Sequence, residues 1–386
     1  MKILCACNAF KGVLSGAAAS LALSKGFEAV RPGAALAFPG IADGGDGLVD
    51  VLEASVGGKI RSRSVSGPLG GPLRARFLML PGRRAVIEMS EAAGLRRLRG
   101  GRNDPMAAST RGVGELMAAA VRAGARELFV GLGGSASNDA GAGCAAACGW
   151  RLLDSAGRPV PDGAAGLLGL ARMEPGPGFS LFRGVKVTGL ADVTNPLCGP
   201  RGSARVYGPQ KGASPAQVKL LEEAMRRFAL AARRACGADI ARLPRGAAAG
   251  GLGAGLAAAF GARLADGAAW VLENSGFAAA LSGCGALATG EGRFDRQTLY
   301  GKAPAAAARL AAAAGKPVFV FCGEYEPVPA RELRRLGVAA VYPLRELFPG
   351  LDPRRGCAGL LKRAAAARFR EISGAAGAAP RGPVVD

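Results

Sequence analysis

Short apolar runs that stop at glycine-rich polar turns, alternating with stretches of helical spacing, dominate both ends of this chain. Lys2 to Cys7 is an apolar run that ends at Asn8 and is followed by a Phe-Lys-Gly turn. Ser15 to Val30 then carries helical periodicity, with Ser15 placed to cap it. Ala34 to Pro39 reads as a second strand, and Asp46 to Ala54 as a second helix after the turn Asp43-Gly44-Gly45. Strand, loop and helix, repeated, is how a parallel α/β sheet begins.

From Lys59 to Met89 the pattern changes. Arg61 to Val65 alternates, Gly67 to Pro72 is a turn, and Leu73 to Leu80 and Ala85 to Met89 are strand-like, so this stretch predicts partly antiparallel strands. Helical spacing returns at Thr110 to Ala123, followed by a strand at Leu128 to Val130 and a glycine loop from Gly131 to Gly143. An apolar run from Val185 to Leu190 delivers the chain to Asp192, and Pro215 to Cys236 predicts a long helix. The α/β alternation resumes with a strand at Ala286 to Thr289, a helix at Lys302 to Ala314, strands at Val318 to Cys322 and Val338 to Tyr342, and a last helix at Pro353 to Arg370.

The expected fold class is therefore α/β in two domains. A parallel Rossmann/flavodoxin-like sheet is built from both chain ends, residues 1–65 and 283–373, around an inserted mixed α/β domain of residues 66–282. The Gly/Ala/Pro-rich segment 374–386 reads as a disordered tail.

Composition narrows the chemistry. Of 386 residues, 49% are hydrophobic and 20% charged, the balance of a soluble globular protein. The net charge of +21 comes mainly from scattered arginines, aromatics are only 5%, and no nucleic-acid motif appears, so a small anionic ligand fits better than specific nucleic acid. There is no histidine, which excludes Ser-His-Asp and Cys-His catalysis and His-containing zinc sites. Nine cysteines without a Cys-x-x-Cys pair, with Cys5/Cys7 and Cys144/Cys148 at strand and helix spacings, read as buried thiols of a reduced, cytoplasmic protein. The longest uncharged run, Gly246 to Ala262, is too short and too rich in glycine to predict a membrane span.

Six polar, glycine-flanked loops each follow an expected strand, where open α/β sheets bind ligands. They are Asn8 to Gly12, Asp43 to Gly47, Gly131 to Asp139, Asp192 to Asn195, Gln210 to Gly212, and Gly290 to Gln297. Asp192 to Ala213 combines an acid, amides, Lys211 and several prolines, which suits a ligand wall or a stiff surface crossover. The loop holding Gly133, Gly134, Ser135, Ser137 and Asn138 can cradle an anion with its amides and hydroxyls, or can be a tight turn capped by Asn138 or Asp139. Gly131-x-Gly133-x-x-Ala136, with Asp154 downstream, also approaches a dinucleotide fingerprint and supports an NAD-type oxidoreductase as the remote alternative.

Asp43 and Asp46 flank two glycines, an arrangement for holding Mg²⁺ or, equally, a turn residue and a helix N-cap. Asp192, Glu291 and Asp295 add carboxylates, and Lys11, Lys211, Arg293 and Lys302 add cations. Gly250 to Gly255 can approach a nucleotide or form a close packing turn; the arginines at 96–102 and 242–245 read as solvated faces, and Trp150 and Trp270 as core. Carboxylates, lysines and glycine cradles without histidine fit phosphoryl transfer, although neither a P-loop nor protein-kinase motifs occur.

Taken together, the loops resemble the type 1 glycerate kinase family over roughly residues 1–370. The resemblance is carried by Asn8-Ala9-Phe10-Lys11-Gly12-Val13-Leu14, Ala42-Asp43-Gly44-Gly45-Asp46-Gly47-Leu48, and Gly133-Gly134-Ser135-Ala136-Ser137-Asn138-Asp139. Asp192 to Pro200, Gly208 to Ala213, and Gly290 to Arg293 with Asp295, Gln297, Thr298, Gly301 and Lys302 extend it. It implies ATP- and Mg²⁺-dependent phosphorylation of D-glycerate to 2-phosphoglycerate, with 3-phosphoglycerate as the alternative product, in a cleft between two α/β domains.

On that footing, loop 131–139 or the glycines around Gly251 and Gly253 hold ATP phosphates, and Asp43, Asp46, Asp192 or Glu291 anchors Mg²⁺. Lys11, Lys211 and Arg293 grip the substrate carboxylate and the transferring phosphoryl group, with Asn195, Gln297 and Lys302 as further binding residues. Asp192, ahead of Asp295, accepts the hydroxyl proton. The partners are then D-glycerate and ATP, with neither nucleic acid nor membrane, and the chain is compatible with a homodimer. Asn8-Ala9 in place of the family's Asp-Ser, Asp46 in place of Glu and Leu48 in place of Thr keep a catalytically impaired anion-binding homologue as an alternative.

Overall fold

The computed structural model describes residues 2–98, 100, 103–299 and 301–375. Its strands, in chain order, are β1 (Ile3–Cys5), β2 (Ala35–Ala37), β3 (Lys59–Ser66), β4 (Pro72–Leu80), β5 (Arg84–Glu88), β6 (Glu127–Gly131) and β7 (Trp150–Leu153). They continue with β8 (Arg172–Pro175), β9 (Lys186–Ala191), β10 (Arg263–Asp266), β11 (Ala286–Phe294), β12 (Val318–Tyr325) and β13 (Val338–Pro343). The chain divides into two units, one holding residues 1–43, 50–56 and 268 onward, the other residues 44–49 and 57–267. This division falls earlier in the sequence than the expected limits at 65/66 and 282/283.

The first unit contains a five-stranded sheet in the order β13-β12-β11-β1-β2, with every neighbouring pair parallel. Period-two alternation sends successive side chains of each strand into different cores. Ile3, Cys5, Phe319 and Phe321 pack with the helices Gly16–Val30 and Cys357–Ala375. Leu4, Leu287, Val318 and Val320 pack with Leu272, Phe277 and the helix Ala303–Ala313. Ser15 caps the first of these helices as expected, accepting from the Ala18 amide. The crossovers diverge at the centre of the sheet: β1 leads to β2 on one side, and β11 leads to β12 on the other. That point, between β1 and β11, is where open α/β sheets place ligands.

The second unit contains a six-stranded mixed sheet, β10-β9-β6-β5-β4-β3, parallel from β10 to β5 and antiparallel from β5 to β3. A two-stranded antiparallel ribbon of β7 and β8 accompanies it. Strands β7, β8 and β10 are short, and the hydrophobic pattern did not signal them. The long helix Pro215–Cys236 lies where expected, because its ends are written locally. Ser214 and Gln217 form a capping box, Pro215 opens the helix, and Gly237 closes it in the left-handed conformation.

Two expectations need correction here. The segment Gly290–Phe294, expected as a loop, continues β11 and pairs with β12 up to Phe294↔Tyr325. Its first glycine serves close strand packing, since a Cβ there would lie 1.9 Å from the Phe321 carbonyl oxygen. The final helix runs past Arg370 to Ala375, so Gly374 and Ala375, assigned to the tail, are helical, and 376–386 lie outside the described residues. All nine cysteines are free, and Cys5, Cys7, Cys144 and Cys148 are buried as expected. Among the described residues no helix is long and apolar enough to cross a membrane.

Candidate active site

In the first unit, the carboxyl ends of β1, β2 and β11 gather an acidic cluster. Glu291, on β11, is buried; its Oε1 accepts from Thr298 Oγ1 at 2.6 Å and its Oε2 faces Lys302 Nζ at 3.6 Å. Burial pushes the Glu291 carboxyl up to about 7 against the pull of Lys302 and Thr298, with Asp43 and Asp295 adding to the rise. Asp295 follows the strand and accepts from the Gln297 and Thr298 amides at 2.8 and 3.1 Å, capping the helical turn Arg296–Leu299. Lys302 Nζ stands 3.8 Å from it.

Asn8, just past β1, directs its Nδ2 at Asp43 Oδ2 across 3.5 Å, and its Oδ1 accepts from the Ala9 amide at 2.8 Å. An adjacent hollow of about 300 Å³ is lined by Phe10, Lys11, Glu291, Arg293, Lys302 and Glu324, among others. Arg293 is exposed and pairs with Glu326 at 2.7 Å, and Gln297 is also exposed, so of the expected binding residues here Lys302 lies nearest the buried carboxylate.

The second unit builds a different cluster around the glycine loop after β6. Gly133 has no side chain because Gly45 Cα occupies the space; a Cβ would lie 2.3 Å from it. The loop is pinned to the Met89–Arg97 segment by the Leu95 amide on Gly134 O and the Ala136 amide on Ala93 O, both 2.9 Å. Lys211 is buried and donates from Nζ to Ser135 Oγ at 2.6 Å and to Ser137 O at 2.7 Å. Desolvation lowers its amine to about 7, opposed by the charge of Asp139.

Asp139 itself is committed to structure. It accepts from the Thr110 amide and hydroxyl, both at 2.8 Å, and from the Gly143 and Gly141 amides at 3.1 and 3.2 Å. Next to it the Ser137 hydroxyl and both ends of the Asn138 amide are buried without a hydrogen-bond partner among the described residues. Leaving a buried amide unpaired costs about 1–3 kcal/mol, so native proteins rarely do so except where something else is to bind.

Asp192 stands directly after β9, at the junction of strand and loop that its sequence context predicted. Tyr207 faces it; burial and the neighbouring Asp192 push that phenol up to about 12. Tyr207 Oη donates to Asn195 Oδ1 at 2.9 Å, and Asn195 Nδ2 donates to Arg201 O at 2.8 Å, so Asn195 holds the loop together.

The glycines at 250–255 resolve toward packing. A Cβ on Gly250 would fall 1.9 Å from Ser137 O, on Gly251 2.7 Å from a Leu197 methyl, and on Gly253 2.8 Å from Arg245 O. Protein contacts thus account for these glycines without a nucleotide. The dinucleotide reading fails too: the helix after the glycine loop starts only at Ala142, and Asp154 is spent on a turn with Arg158, accepting from its amide at 2.9 Å and its side chain at 3.0 Å.

Sequence reasoning missed a buried charge network. Glu88, at the end of β5, accepts from the Val49 amide, Ser90 Oγ and Arg96 Nη2 at 3.2, 2.9 and 2.7 Å. Burial raises the Glu88 carboxyl, with Arg96 opposing. Glu91 is bound by Arg76, Arg96 and Arg97; burial pushes it up, but the three guanidiniums outweigh this and hold it below the usual carboxylate range. Arg96 also reaches Asp46 at 3.6 Å, so this residue, expected to bind metal, is ion-paired. Arginines 96 and 97 therefore anchor buried acids and are not a solvated face; Arg245 likewise donates to Ala191 O at 2.8 Å and pairs with Asp266. Glu88 and Glu91, acids within an otherwise apolar run, were the available signal.

Among the described residues, no group of three or more Cys, Asp or Glu side chains is arranged to hold a metal ion alone. The donor chemistry nevertheless fits Mg²⁺. Glu291 is a hard oxygen donor whose proton a cation would displace, with Asp43 acting on it, and Mg²⁺ commonly takes one or two carboxylates plus phosphates.

Carboxylates and a lysine at a sheet's switch point, and a second α/β unit with a buried lysine beside unpaired polar groups, define a protein of the phosphoryl-transfer class. Comparison with known proteins gives the same class. Residues 3–371 match the model of the Glycerate kinase family. The chain is 41% identical to the glycerate kinase of Bacillus subtilis (strain 168) over 92% of both chains, and 36% identical to the glycerate 2-kinase of Escherichia coli (strain K12) over 84% of this chain and 85% of that one. The crystal structure of a protein described as glycerate kinase 2 from Salmonella typhimurium LT2 superposes with a TM-score of 0.81 at 34% identity, covering 98% of this chain and 100% of that one. The chain belongs to the glycerate kinase family and is a kinase.

Proposed function

We propose that this kinase transfers the γ-phosphoryl group of ATP to a hydroxyl of D-glycerate, giving 2-phosphoglycerate. The observation that carries the reading is the buried, unpartnered Asn138 amide and Ser137 hydroxyl beside Lys211. Asn138 offers both a donor and an acceptor. A hydroxy acid uses both, its carboxylate taking the Nδ2 proton and its hydroxyl donating to Oδ1, whereas a fully ionised nucleotide phosphate has no O–H to offer Oδ1. When charged, Lys211 retains one N–H beyond its two protein acceptors for the same carboxylate.

The Glu291, Asp43 and Lys302 cluster suits a magnesium ion carried on nucleotide phosphates, where the ion would neutralise charge on the transferring group. Asp192 is assigned as proton acceptor ahead of Asp295, whose Oδ1 caps a helical turn. In the reaction the substrate O–H proton passes to the carboxylate, its oxygen bonds to the γ-phosphorus, and the bond from phosphorus to the ADP oxygen breaks. The names of the relatives, glycerate kinase and glycerate 2-kinase, support the substrate and the position of transfer.

The test is coupled ADP release with D-glycerate and Mg-ATP, followed by phosphorus NMR of the product. ADP release with a 2-phosphoglycerate resonance is the expected result. A 3-phosphoglycerate resonance corrects the position of transfer, and glycerate binding without ADP release over hours overturns the reading in favour of an anion-binding homologue.

A further inference from the structure

Asn103 belongs to none of the glycine-flanked loops, yet it ties two of them together. Its Nδ2 donates to Ala136 O and to Lys211 O, both at 2.9 Å, so both amide protons are used on segments 33 and 108 residues away. These bonds interleave with those of the lysine. Lys211 Nζ takes Ser135 Oγ and Ser137 O, and Asn103 takes the carbonyl between them. The main chain of Lys211 is thereby fastened through Asn103 to Ala136, which lies between the two residues that hold its amine. Asn103 Oδ1 is also buried without a hydrogen-bond partner among the described residues, as are Ser137 Oγ and the Asn138 amide.

We propose that Asn103 is a positioning residue for phosphoryl transfer: by clamping the Ala136 and Lys211 carbonyls, it fixes where the Lys211 amine meets the bound hydroxy acid. The proposal rests on the reading of the Ser135–Asn138 and Lys211 cluster as the glycerate site. Asn103 acts through Lys211, so its loss displaces the amine without removing it. A displacement of about 1 Å costs on the order of 10²-fold in rate.

The test is a double-mutant cycle in the full chain with Asn103→Ala, Lys211→Met and the double variant, reading kcat and both KM values together with thermal midpoints. The expected result is a kcat 10- to 100-fold lower for Asn103→Ala, roughly as that displacement predicts, with the ATP KM within about twofold. The double variant should then be no slower than Lys211→Met alone. A kcat within about twofold of wild type, or a double variant whose loss is the product of the two single losses, overturns it. If Asn103→Ala does not fold, Asn103→Asp, which has the same shape but lacks both amide donors, enters the cycle under the same criteria. Wild-type chain that releases no ADP with D-glycerate overturns the glycerate-site reading, and this inference with it. Active wild type with an additive cycle overturns only the role of Asn103.

Discussion

Lys211 is a cation placed where a cation is least stable, and its effect on stability can be read from pH. The unfolded chain holds the proton up to about 10.5, whereas the folded chain releases it near 7. Between those values the unfolded state binds more protons, so stability rises with pH across that window. Lys211→Met should therefore be more stable than wild type at pH 7, by about 2–4 kcal/mol once its lost hydrogen bonds are allowed for, while losing activity. Denaturant melts at pH 7 and at pH 10 check this, because the advantage should shrink toward the higher pH. Asn138 carries the same signature without charge. Asn138→Ala removes a buried amide with no partner among the described residues, so the thermal midpoint should hold or rise, while the glycerate KM climbs roughly tenfold or more through loss of one or two hydrogen bonds. A lowered midpoint with an unchanged KM would make Asn138 an ordinary core residue.

At the scale of elements, local rules reach a long way and then stop. The helix Pro215–Cys236 could be placed from its sequence because cap, first-turn proline and closing glycine all lie within it. The strand through Gly290 to Phe294 could not, because its glycines read as a loop until β12 is known to lie against them. Arg96 and Arg97 looked solvated for a related reason: their partners, Glu88 and Glu91, are buried by strands and helices that sequence spacing does not bring together. That network predicts its own failure. Arg96→Met leaves Glu88 buried with its strongest counter-charge gone, which should cost about 3 kcal/mol in denaturant unfolding. Arg96→Lys should recover only part of it, since one ammonium cannot serve Glu88, Glu91 and Asp46 together. Among the candidate site residues, Asp192, Ser135, Ser137 and Asn138 were legible as polar groups following strands, whereas Lys211, expected in such a loop, ends the turn Pro209–Lys211 after the helix Ser203–Tyr207. Asn103 was not, because its importance comes entirely from two carbonyls distant in sequence.

For the whole molecule, a net charge of +21 and an anionic substrate make association a long-range matter. Raising sodium chloride from 0.05 to 0.5 M (about 14 to 4 Å of screening length) should lower kcat/KM for D-glycerate several-fold and leave kcat nearly constant. Steady-state kinetics at fixed free Mg²⁺ check it, and a flat kcat/KM would mean the surface charge plays no part in capture. The same arrangement of the chain sets an order of assembly. Strand β1 lies between β2 and β11, and the Thr289 hydroxyl reaches the Ala6 carbonyl across 283 residues of sequence. On a ribosome, the segment 57–267 emerges with all six strands of its sheet before β11 has been made. Asn8 and Lys11, which precede that segment, therefore gain their contacts with Gly290 and Gly292 of β11 only after it has been made.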